Sequence, residues 1–336
     1  MVDTVYIEEA VQNLERTQQV LLRYPTANKI VIEKYSEIFN PRGQNFRLQK
    51  NNPALILAAK KNKKVLSTPS QYETGGGANY YFSHMLNCIY DCRYCFLQGM
   101  YRSANYLLFV NYEDFVEEIK DVAKSHENDE KPAWFFSGYD CDSLAYEPVT
   151  KFANYFLQAF ESIPNAVLEL RTKSTQIRSL LERESMSNVV VAYSLSPTAV
   201  AESIEHGAPS FDKRLQALVK LQQHGWRIGI RFDPIVWNQA YESQYAKMVE
   251  DVFTQLDPKK IDSVTIGGFR LPKDFYKTMR NLYPENALFS AGLSDNNGMV
   301  TYRRDIETQI FESLINNMQK HISSDRIYSY PTHQND

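Results

Sequence analysis

The 336-residue chain contains only four cysteines, and it lacks any run of eighteen apolar residues. A membrane-spanning helix needs about twenty consecutive apolar residues, so we expect no membrane partner. The segment MVDTVYIEEAVQNLERT at the start carries several acidic residues and has no apolar core typical of a secretory signal. The sequence therefore predicts a cytoplasmic protein.

The chain also lacks an excess of positive charge. Its 37 lysines and arginines are balanced by 40 aspartates and glutamates, which gives a formal net charge of −3. With 43% apolar and 23% charged residues, the composition is that of an ordinary globular protein and gives no support to a nucleic-acid partner. A local run, KKNKK from Lys60 to Lys64, has the chemistry to contact phosphates, but such runs are more often solvated loop faces.

The cysteines are not spaced like a disulfide framework. Cys88, Cys92 and Cys95 form a C-x3-C-x2-C pattern, which favours a reduced compartment and a metal role. Thiolates bind zinc or iron–sulfur clusters. Zinc would need a fourth ligand, such as His84 or Cys141, whereas a [4Fe–4S] cluster on three thiolates leaves one iron open for a cofactor or substrate. The pattern favours the cluster, and zinc remains an alternative.

From Tyr80 onward, short apolar runs alternate with stretches of helical periodicity such as NYEDFVEEIKDVAKSHE and FDKRLQALVKLQQHG. This alternation predicts an α/β fold with a parallel sheet, either curled or open. The six predicted strands are YYFSHML, AWFFSG, VLELRTK, VVVAYSLS, RIGIRFDPIVW and SVTIGGF.

The pattern before these strands predicts a separate N-terminal α/β extension over residues 1–79, with a helical opening and a strand from Lys29 to Tyr35. Three glycines, Gly75 to Gly77, mark a flexible joint. Residues 80–336 form the second predicted domain. It ends in a hairpin at LSDNNGMVTYRRD and an amphipathic helix from Asp305 to about His321.

In parallel βα architectures the ligand site lies at the carboxyl ends of the strands. The cysteine pattern follows the first predicted strand, so it is expected at that edge. Polar side chains after the later strands should share it: Tyr139, Asp140, Cys141 and Asp142 after the second, Lys173 after the third, and Ser194 and Ser196 after the fourth.

The C-x3-C-x2-C pattern, with Tyr94 before its last cysteine and a βα series around it, resembles the signature of radical S-adenosylmethionine enzymes. The resemblance implies a partial (βα)6 barrel with a [4Fe–4S] cluster on Cys88, Cys92 and Cys95. The open iron would bind S-adenosylmethionine, and an external electron donor such as flavodoxin or ferredoxin would reduce the cluster. The cofactor then supplies a 5′-deoxyadenosyl radical, which the protein directs.

Longer segments resemble the spore photoproduct lyase family. They include CRYCFLQGMYRSANYLLFVNYEDF, RTKS, YSLSP, PSFDKRLQALVKLQQHGWRIGIRFDPI and FRLPKDFYKTMRNLYP, in order between Tyr80 and Phe311. The resemblance implies that Lys173 and Ser194 contact S-adenosylmethionine and that Tyr94 lies beside the cluster and the adenosine. It also implies a lesion in DNA as the substrate. Asp142 could bind the cofactor ribose, although a helix N-cap is an equally good interpretation.

Two positions depart from the family pattern. Phe96 stands where the family has a tyrosine used in hydrogen return, and Tyr139 stands where the family has its hydrogen-donor cysteine. Cys141 lies two residues further on. Three interpretations stay open: Cys141 donates hydrogen from a shifted loop, Tyr139 donates, or the substrate differs and no thiol is needed. A buried cysteine acting only as a small apolar residue is equally common.

The C-terminal hairpin offers Tyr302, Arg303 and Arg304 for DNA contact, because arginines bind phosphates and an aromatic ring can stack on a base. The leading functional hypothesis is a radical lyase that reverses a DNA lesion. Alternatives are a related radical enzyme acting on another nucleotide or small molecule, and a non-catalytic nucleic-acid binding protein stabilised by a metal.

Overall fold

The computed structural model describes residues 2–69, 77–290 and 292–333. The chain forms two compact units, one of Met1–Ile89 with Met100–Leu170 and the other of Tyr90–Gly99 with Arg171–Asp336. Gly75 and Gly76 of the predicted joint lie outside the described residues. The predicted domain boundary near residue 80 stays a prediction.

Eighteen strands and twelve α-helices are present within the described ranges. The strands are β1 Thr4–Glu8, β2 Asn28–Ile32, β3 Leu55–Ala58, β4 Val65–Ser67, β5 Asn79–Phe82, β6 Met85–Leu86, β7 Asp91–Cys92, β8 Tyr106–Phe109, β9 Ala133–Ser137, β10 Ala166–Thr172, β11 Val189–Ser194, β12 Glu205–His206, β13 Arg227–Ile235, β14 Ile261–Gly268, β15 Arg270–Pro272, β16 Leu293–Asn296, β17 Met299–Tyr302 and β18 Ile327–Tyr330. The helices are α1 Glu15–Leu21, α2 Phe46–Asn51, α3 Leu97–Met100, α4 Tyr112–Ser125, α5 Glu147–Thr150, α6 Phe152–Phe160, α7 Arg178–Leu181, α8 Thr198–Ile204, α9 Phe211–Gln223, α10 Tyr241–Gln255, α11 Lys273–Leu282 and α12 Arg304–Met318.

The first unit contains a five-stranded sheet in the order β2-β1-β3-β8-β6. All neighbours are parallel except β6 and β8. The chain opens with a strand because Val5 and Ile7 alternate with more exposed residues, a period that suits a sheet. The predicted helical opening is therefore wrong, and the first α-helix begins at Glu15.

A second set of strands in this unit runs in the order β4-β5-β9-β10. β5 and β9 are parallel, as are β9 and β10, and every residue of β9 is buried. Continuous burial is typical of a parallel strand covered on both faces. The core beside it is aromatic, since Phe82 contacts rings of α4 and α6, with 5.1 Å between the centroids of Phe82 and Phe156.

The second unit contains the strand series β11-β13-β14-β18, in which all neighbours are parallel. Helix α9 ends just before Gly225, whose φ of +98° lies in the region that glycine adopts without strain. The predicted C-terminal hairpin is present as β16 and β17, and the predicted helix after it is α12.

The six predicted strands are confirmed as β-structure, and the pairs β5–β9, β9–β10, β11–β13 and β13–β14 are parallel. The first is interrupted: YYFSHML supplies β5 to one sheet and β6 to the other, with Ser83 and His84 between them. Among the described residues, no helix has the length and apolar character required to cross a membrane.

Candidate functional site

The segment of residues 90–99, which carries two of the clustered cysteines, is fixed within the second unit. β7 pairs antiparallel with β12, so that Cys92 lies opposite Glu205. Gln98 donates from Nε2 to the Cys92 carbonyl at 2.6 Å, and the Tyr283 hydroxyl donates to Gln98 Oε1 at 2.5 Å. These bonds fix the backbone of the cysteine segment.

The end of this segment packs closely on α11. A Cβ atom at Gly99 would lie 2.7 Å from the Cα of Phe275, so only glycine allows this approach. Arg93 stacks on Tyr283, with its guanidinium carbon 3.8 Å from the ring centroid, and pairs with Asp91 at 2.8 Å. The segment is therefore held by both backbone and side-chain contacts.

The three clustered cysteines are divided between the units: Cys88 belongs to the first, and Cys92 and Cys95 belong to the second. Cys92 is buried, and the other two are half-buried. Three thiols in one short segment fit an iron–sulfur cluster by donor type. In the part of the chain that the structure describes, no three histidine, cysteine, aspartate or glutamate side chains form a group that could hold a metal ion. The role of Cys88, Cys92 and Cys95 as cluster ligands therefore stays a prediction.

Tyr94 lies in a buried polar network of the second unit. Its hydroxyl donates to Glu205 Oε1, which also accepts from Ser196 Oγ at 3.0 Å. The other oxygen, Oε2, pairs with Arg214 Nη2, and both the Glu205 and Arg214 side chains are fully buried. Burial and the nearby Glu205 carboxylate raise the pKa of Tyr94, so its phenol stays protonated.

Two predicted cofactor residues lie in the same network. Lys173 Nζ is 5.4 Å from the centroid of the Tyr94 ring, and the Ser194 carbonyl accepts from Arg214 Nη1 at 3.2 Å. Burial alone would raise the pKa of Glu205, but the charges of Lys173 and Arg214 outweigh it and hold that pKa below its usual value. The structure thus brings Tyr94, Lys173 and Ser194 together around an ionised carboxylate.

Glu205 and Arg214 were not predicted from the sequence. A signal was present for the arginine, which follows Phe211 by three residues and precedes Leu218 by four on the buried face of α9. A charge on an apolar helix face requires a buried partner. The partner itself could not be read from the sequence, because Glu205 lies in β12 and looks like an ordinary surface glutamate.

In the first unit, the turn after β9 places the other candidates. Gly138 has a φ of +81°, and a Cβ there would lie 2.6 Å from Ser143 Oγ. Asp142 Oδ1 accepts from the backbone N–H groups of Leu144 at 3.0 Å and Ala145 at 2.8 Å. These bonds form a turn ahead of α5, whose N-cap is Tyr146, so Asp142 is not the N-cap of that helix. Its predicted contact with the cofactor ribose stays a prediction.

Cys141 is buried beside His84. The Cys141 Sγ atom lies 3.9 Å from His84 Nδ1, and the imidazole stacks on Phe152 with 3.8 Å between centroids and 12° between planes. Burial lowers the pKa of His84 to about 3 and raises the pKa of Cys141, which Cys88, Asp140 and Asp142 raise further. The pair is a neutral imidazole and a protonated thiol.

Tyr139 and Asp140 occupy the same turn. The Tyr139 ring lies 4.3 Å from the Tyr81 ring, centroid to centroid, and the Tyr101 hydroxyl donates to Asp140 Oδ1 at 3.2 Å. Burial raises the pKa of Asp140.

Lys60 of the KKNKK run is not a fully solvated side chain: burial lowers its pKa, and its Nζ lies 5.6 Å from the centroid of the Phe109 ring.

The hairpin residues differ from their predicted roles. Tyr302 is 1% exposed, and its hydroxyl accepts from the Trp237 N–H at 2.9 Å. A ring buried in this way cannot stack on a base, so that prediction is wrong. Arg303 is exposed and pairs with Asp305 at 3.2 Å, an arrangement that leaves its DNA contact untested.

Glu147 is buried at the start of α5. Its Oε2 accepts from the Ala153 N–H at 2.8 Å, and Oε1 has no hydrogen-bond partner among the described residues. Burial raises the pKa of Glu147 to about 7, because a carboxylate here would lose most of its hydration.

This shift predicts a pH dependence. The native state retains a proton on Glu147 that the unfolded state releases near the ordinary value of 4.5, so stability falls as pH rises from there to about 7. Glu147→Gln should remove this fall and gain about 3 kcal/mol over wild type near pH 8. Urea unfolding across this pH range measures the effect, with the exposed Glu117→Gln in α4 as the control. Parallel pH profiles for wild type and Glu147→Gln would contradict the prediction.

Parallel βα strands with a C-x3-C-x2-C segment define a radical S-adenosylmethionine type of enzyme, and comparisons with known proteins agree. The model of the spore photoproduct lyase family matches residues 2–321, so the chain belongs to that family. The match extends the resemblance, which began near Tyr80, through the N-terminal region. The predicted lyase class is thereby confirmed.

Individual relatives support this assignment. Spore photoproduct lyase of Bacillus subtilis (strain 168) is 23% identical over 261 residues, covering 76% of this chain and 73% of that protein. The structure of a cysteine-to-serine variant of spore photoproduct lyase has a TM-score of 0.84 at 16% identity, over 98% of both chains. A structure of a variant with bound S-adenosylmethionine and dinucleoside spore photoproduct has a TM-score of 0.83 at 16% identity, over 98% of both chains. The predicted fold, an α/β partial barrel of the radical S-adenosylmethionine type, is confirmed by these matches.

Proposed function

We propose that this chain reverses a methylene-bridged thymine lesion in DNA, with Cys141 as the hydrogen donor. The observation that carries the donor assignment is the buried, protonated Cys141 thiol beside a neutral imidazole at the turn after β9. Membership of the spore photoproduct lyase family supports the reaction class. The solved relative with S-adenosylmethionine and dinucleoside spore photoproduct supports the cofactor and the substrate class.

In this proposal Cys88, Cys92 and Cys95 hold the [4Fe–4S] cluster, and Lys173 and Ser194 face S-adenosylmethionine. When bound, the cluster and S-adenosylmethionine supply a 5′-deoxyadenosyl radical. Tyr94 lies under Lys173 and is fixed by the Glu205 carboxylate, so it keeps one orientation. The residues of this network orient the cofactor and do not exchange protons, since burial keeps the Tyr94 phenol protonated.

In the proposed reaction, the thymine radical that remains after the methylene bridge breaks must take back a hydrogen atom. That atom comes from an S–H bond, so the donor must be a thiol and not a thiolate. A raised pKa keeps Cys141 in that form. The transfer gives a closed-shell thymine and leaves a thiyl radical on Cys141 Sγ. Tyr139 is the weaker donor candidate, since a phenolic O–H bond is stronger than a thiol S–H bond. Phe96 has no O–H group and cannot take part.

The proposed partners are lesion-containing DNA and an external electron donor such as flavodoxin or ferredoxin. We place the protein in the cytoplasm, where thiols stay reduced. The near-neutral charge of the chain indicates that DNA binding depends on local groups and not on its overall field.

Anaerobic reconstitution tests the cofactor part of the proposal. Iron-dependent absorbance and reductive cleavage of S-adenosylmethionine to 5′-deoxyadenosine are expected, and loss of both is expected in Cys92→Ala. Binding of zinc alone, without cleavage, would contradict it. Incubation with dinucleotide spore photoproduct tests the substrate, and thymine is the expected product. Cleavage of S-adenosylmethionine without thymine formation would favour a different substrate.

A further inference from the structure

Strand β2 forms one edge of the five-stranded sheet of the first unit. It pairs with β1, and in the described ranges no strand lies on its other side. Its first four residues are exposed, including Ile30 at 42% and Val31 at 53%. Adjacent residues of a strand point to opposite faces, so apolar surface is open on both faces of this edge. Exposed apolar edges are surfaces on which another strand can pair.

The direction of the open backbone groups follows from one hydrogen bond. The Asn28 N–H donates to the Asp3 carbonyl at 2.9 Å, so it points toward β1. Because backbone groups alternate along a strand, those of Ile30 and Ile32 also point toward β1. The N–H and C=O groups of Lys29 and Val31 therefore point outward, away from the sheet.

These outward groups belong to a self-complementary sequence, Lys29-Ile30-Val31-Ile32-Glu33. If two copies run antiparallel about a two-fold axis at Val31, the outward groups of Val31 face those of the partner's Val31. The same register places Lys29 opposite the partner's Glu33, and Glu33 opposite the partner's Lys29. Opposite charges in directly facing positions stabilise an antiparallel pair.

We propose that two copies of this chain associate through antiparallel pairing of their β2 strands, centred on Val31. One register satisfies the outward backbone groups, covers Ile30 and Val31, and pairs both charges. A two-fold interface of this kind is the commonest form of homodimer. Glu33 lies 3.5 Å from the neighbouring Lys34 in the single chain, but both side chains are well exposed and this contact is easily exchanged.

The interface is short, so a reversible dimer that dissociates on dilution is expected. A lysine on an edge strand is also a known protection against pairing. Under that alternative, Lys29 keeps the chain monomeric and its replacement would promote association. Replacing Lys29 with glutamate separates the two cases, because it should abolish association in the first and promote association in the second.

Sedimentation velocity over a dilution series tests the proposal, because it distinguishes a dimer from the 38.9 kDa monomer. Wild type should show a dimer that dissociates on dilution. Lys29→Glu and Glu33→Lys should each be monomeric, because each places two like-charge pairs in the interface. An equimolar mixture of these two variants should form a heterodimer, since every facing pair then has opposite charges. The double variant Lys29→Glu/Glu33→Lys should recover the homodimer.

Lys34→Glu is the matched control, because this neighbouring lysine has no facing glutamate in the proposed register. It should leave the dimer intact. A wild-type monomer at every concentration, stronger association of Lys29→Glu, or no heterodimer from the mixed variants would each overturn the proposal. Circular dichroism of each variant checks the fold. The experiment needs no cluster or substrate, so its result is independent of the proposed enzyme function.

Discussion

Arg214→Met is expected to lower the free energy of unfolding by about 3–5 kcal/mol, because it leaves the Glu205 carboxylate buried without its cation. Neither side chain is exposed, so water cannot replace the lost partner. Arg214 also donates to the Ser194 and Pro209 carbonyls, and both acceptors would lose that bond. Removing one member of a buried pair therefore costs far more than the pair contributes as a whole.

Chemical denaturation measures this effect, and Lys247→Met provides the control. Lys247 pairs with Asp251 at 2.7 Å in the same unit, but its side chain is 75% exposed, so a loss below about 1 kcal/mol is expected. The double variant Glu205→Gln/Arg214→Met should recover part of the stability, because it removes both charges. Equal losses in Arg214→Met and Lys247→Met would show that the buried pair is not what stabilises this region.

Cys141→Ala is expected to stop thymine formation while the lesion is still consumed, so that side products accumulate. In the proposed reaction, radical formation precedes hydrogen return, and the variant retains every residue proposed to bind the cofactor. Chromatography and mass spectrometry of the products measure the ratio of thymine to side products. Cleavage of S-adenosylmethionine should continue, which distinguishes loss of the donor from loss of the cofactor site.

Two variants control this experiment. Cys141→Ser keeps the size of the side chain but offers a stronger O–H bond, so it should behave like Cys141→Ala. Tyr139→Phe removes the competing phenol and keeps its ring against Tyr81, so thymine formation should persist. Normal thymine yield from Cys141→Ala together with loss in Tyr139→Phe would assign the donor to Tyr139.

The strands could be predicted from the sequence because the pattern that indicates each strand lies within its own few residues. Continuous apolar runs such as AWFFS appear as buried parallel strands, and a helix stop such as Gly225 is visible as a single residue. The break at Ser83 and His84 was not predicted, because it arises when one apolar run supplies strands to two sheets. The position of this break depends on which strands β5 and β6 pair with in the folded protein.

The candidate site was predictable to a similar degree. The cysteine spacing, the positions after the strands and the family resemblance singled out Tyr94, Lys173 and Cys141 as candidates, and their roles stay predictions. The carboxylate that organises Tyr94 could not be found, because Glu205 is far from it along the chain. Tyr302 was misassigned for the same reason: a tyrosine beside two arginines looks exposed, but its partner, the Trp237 N–H, is distant in sequence.

The buried position of Cys141 also affects which thiols of the protein are oxidised in air. Oxidants and alkylating reagents attack thiolates at accessible sulfurs, and Cys141 is neither ionised nor accessible. Cys88 and Cys95 are partly open to solvent, so we expect them to be oxidised before Cys141. We therefore expect aerobic handling to spare the proposed donor and to oxidise the proposed cluster ligands, so reducing those thiols and rebuilding the cluster should restore activity lost in air.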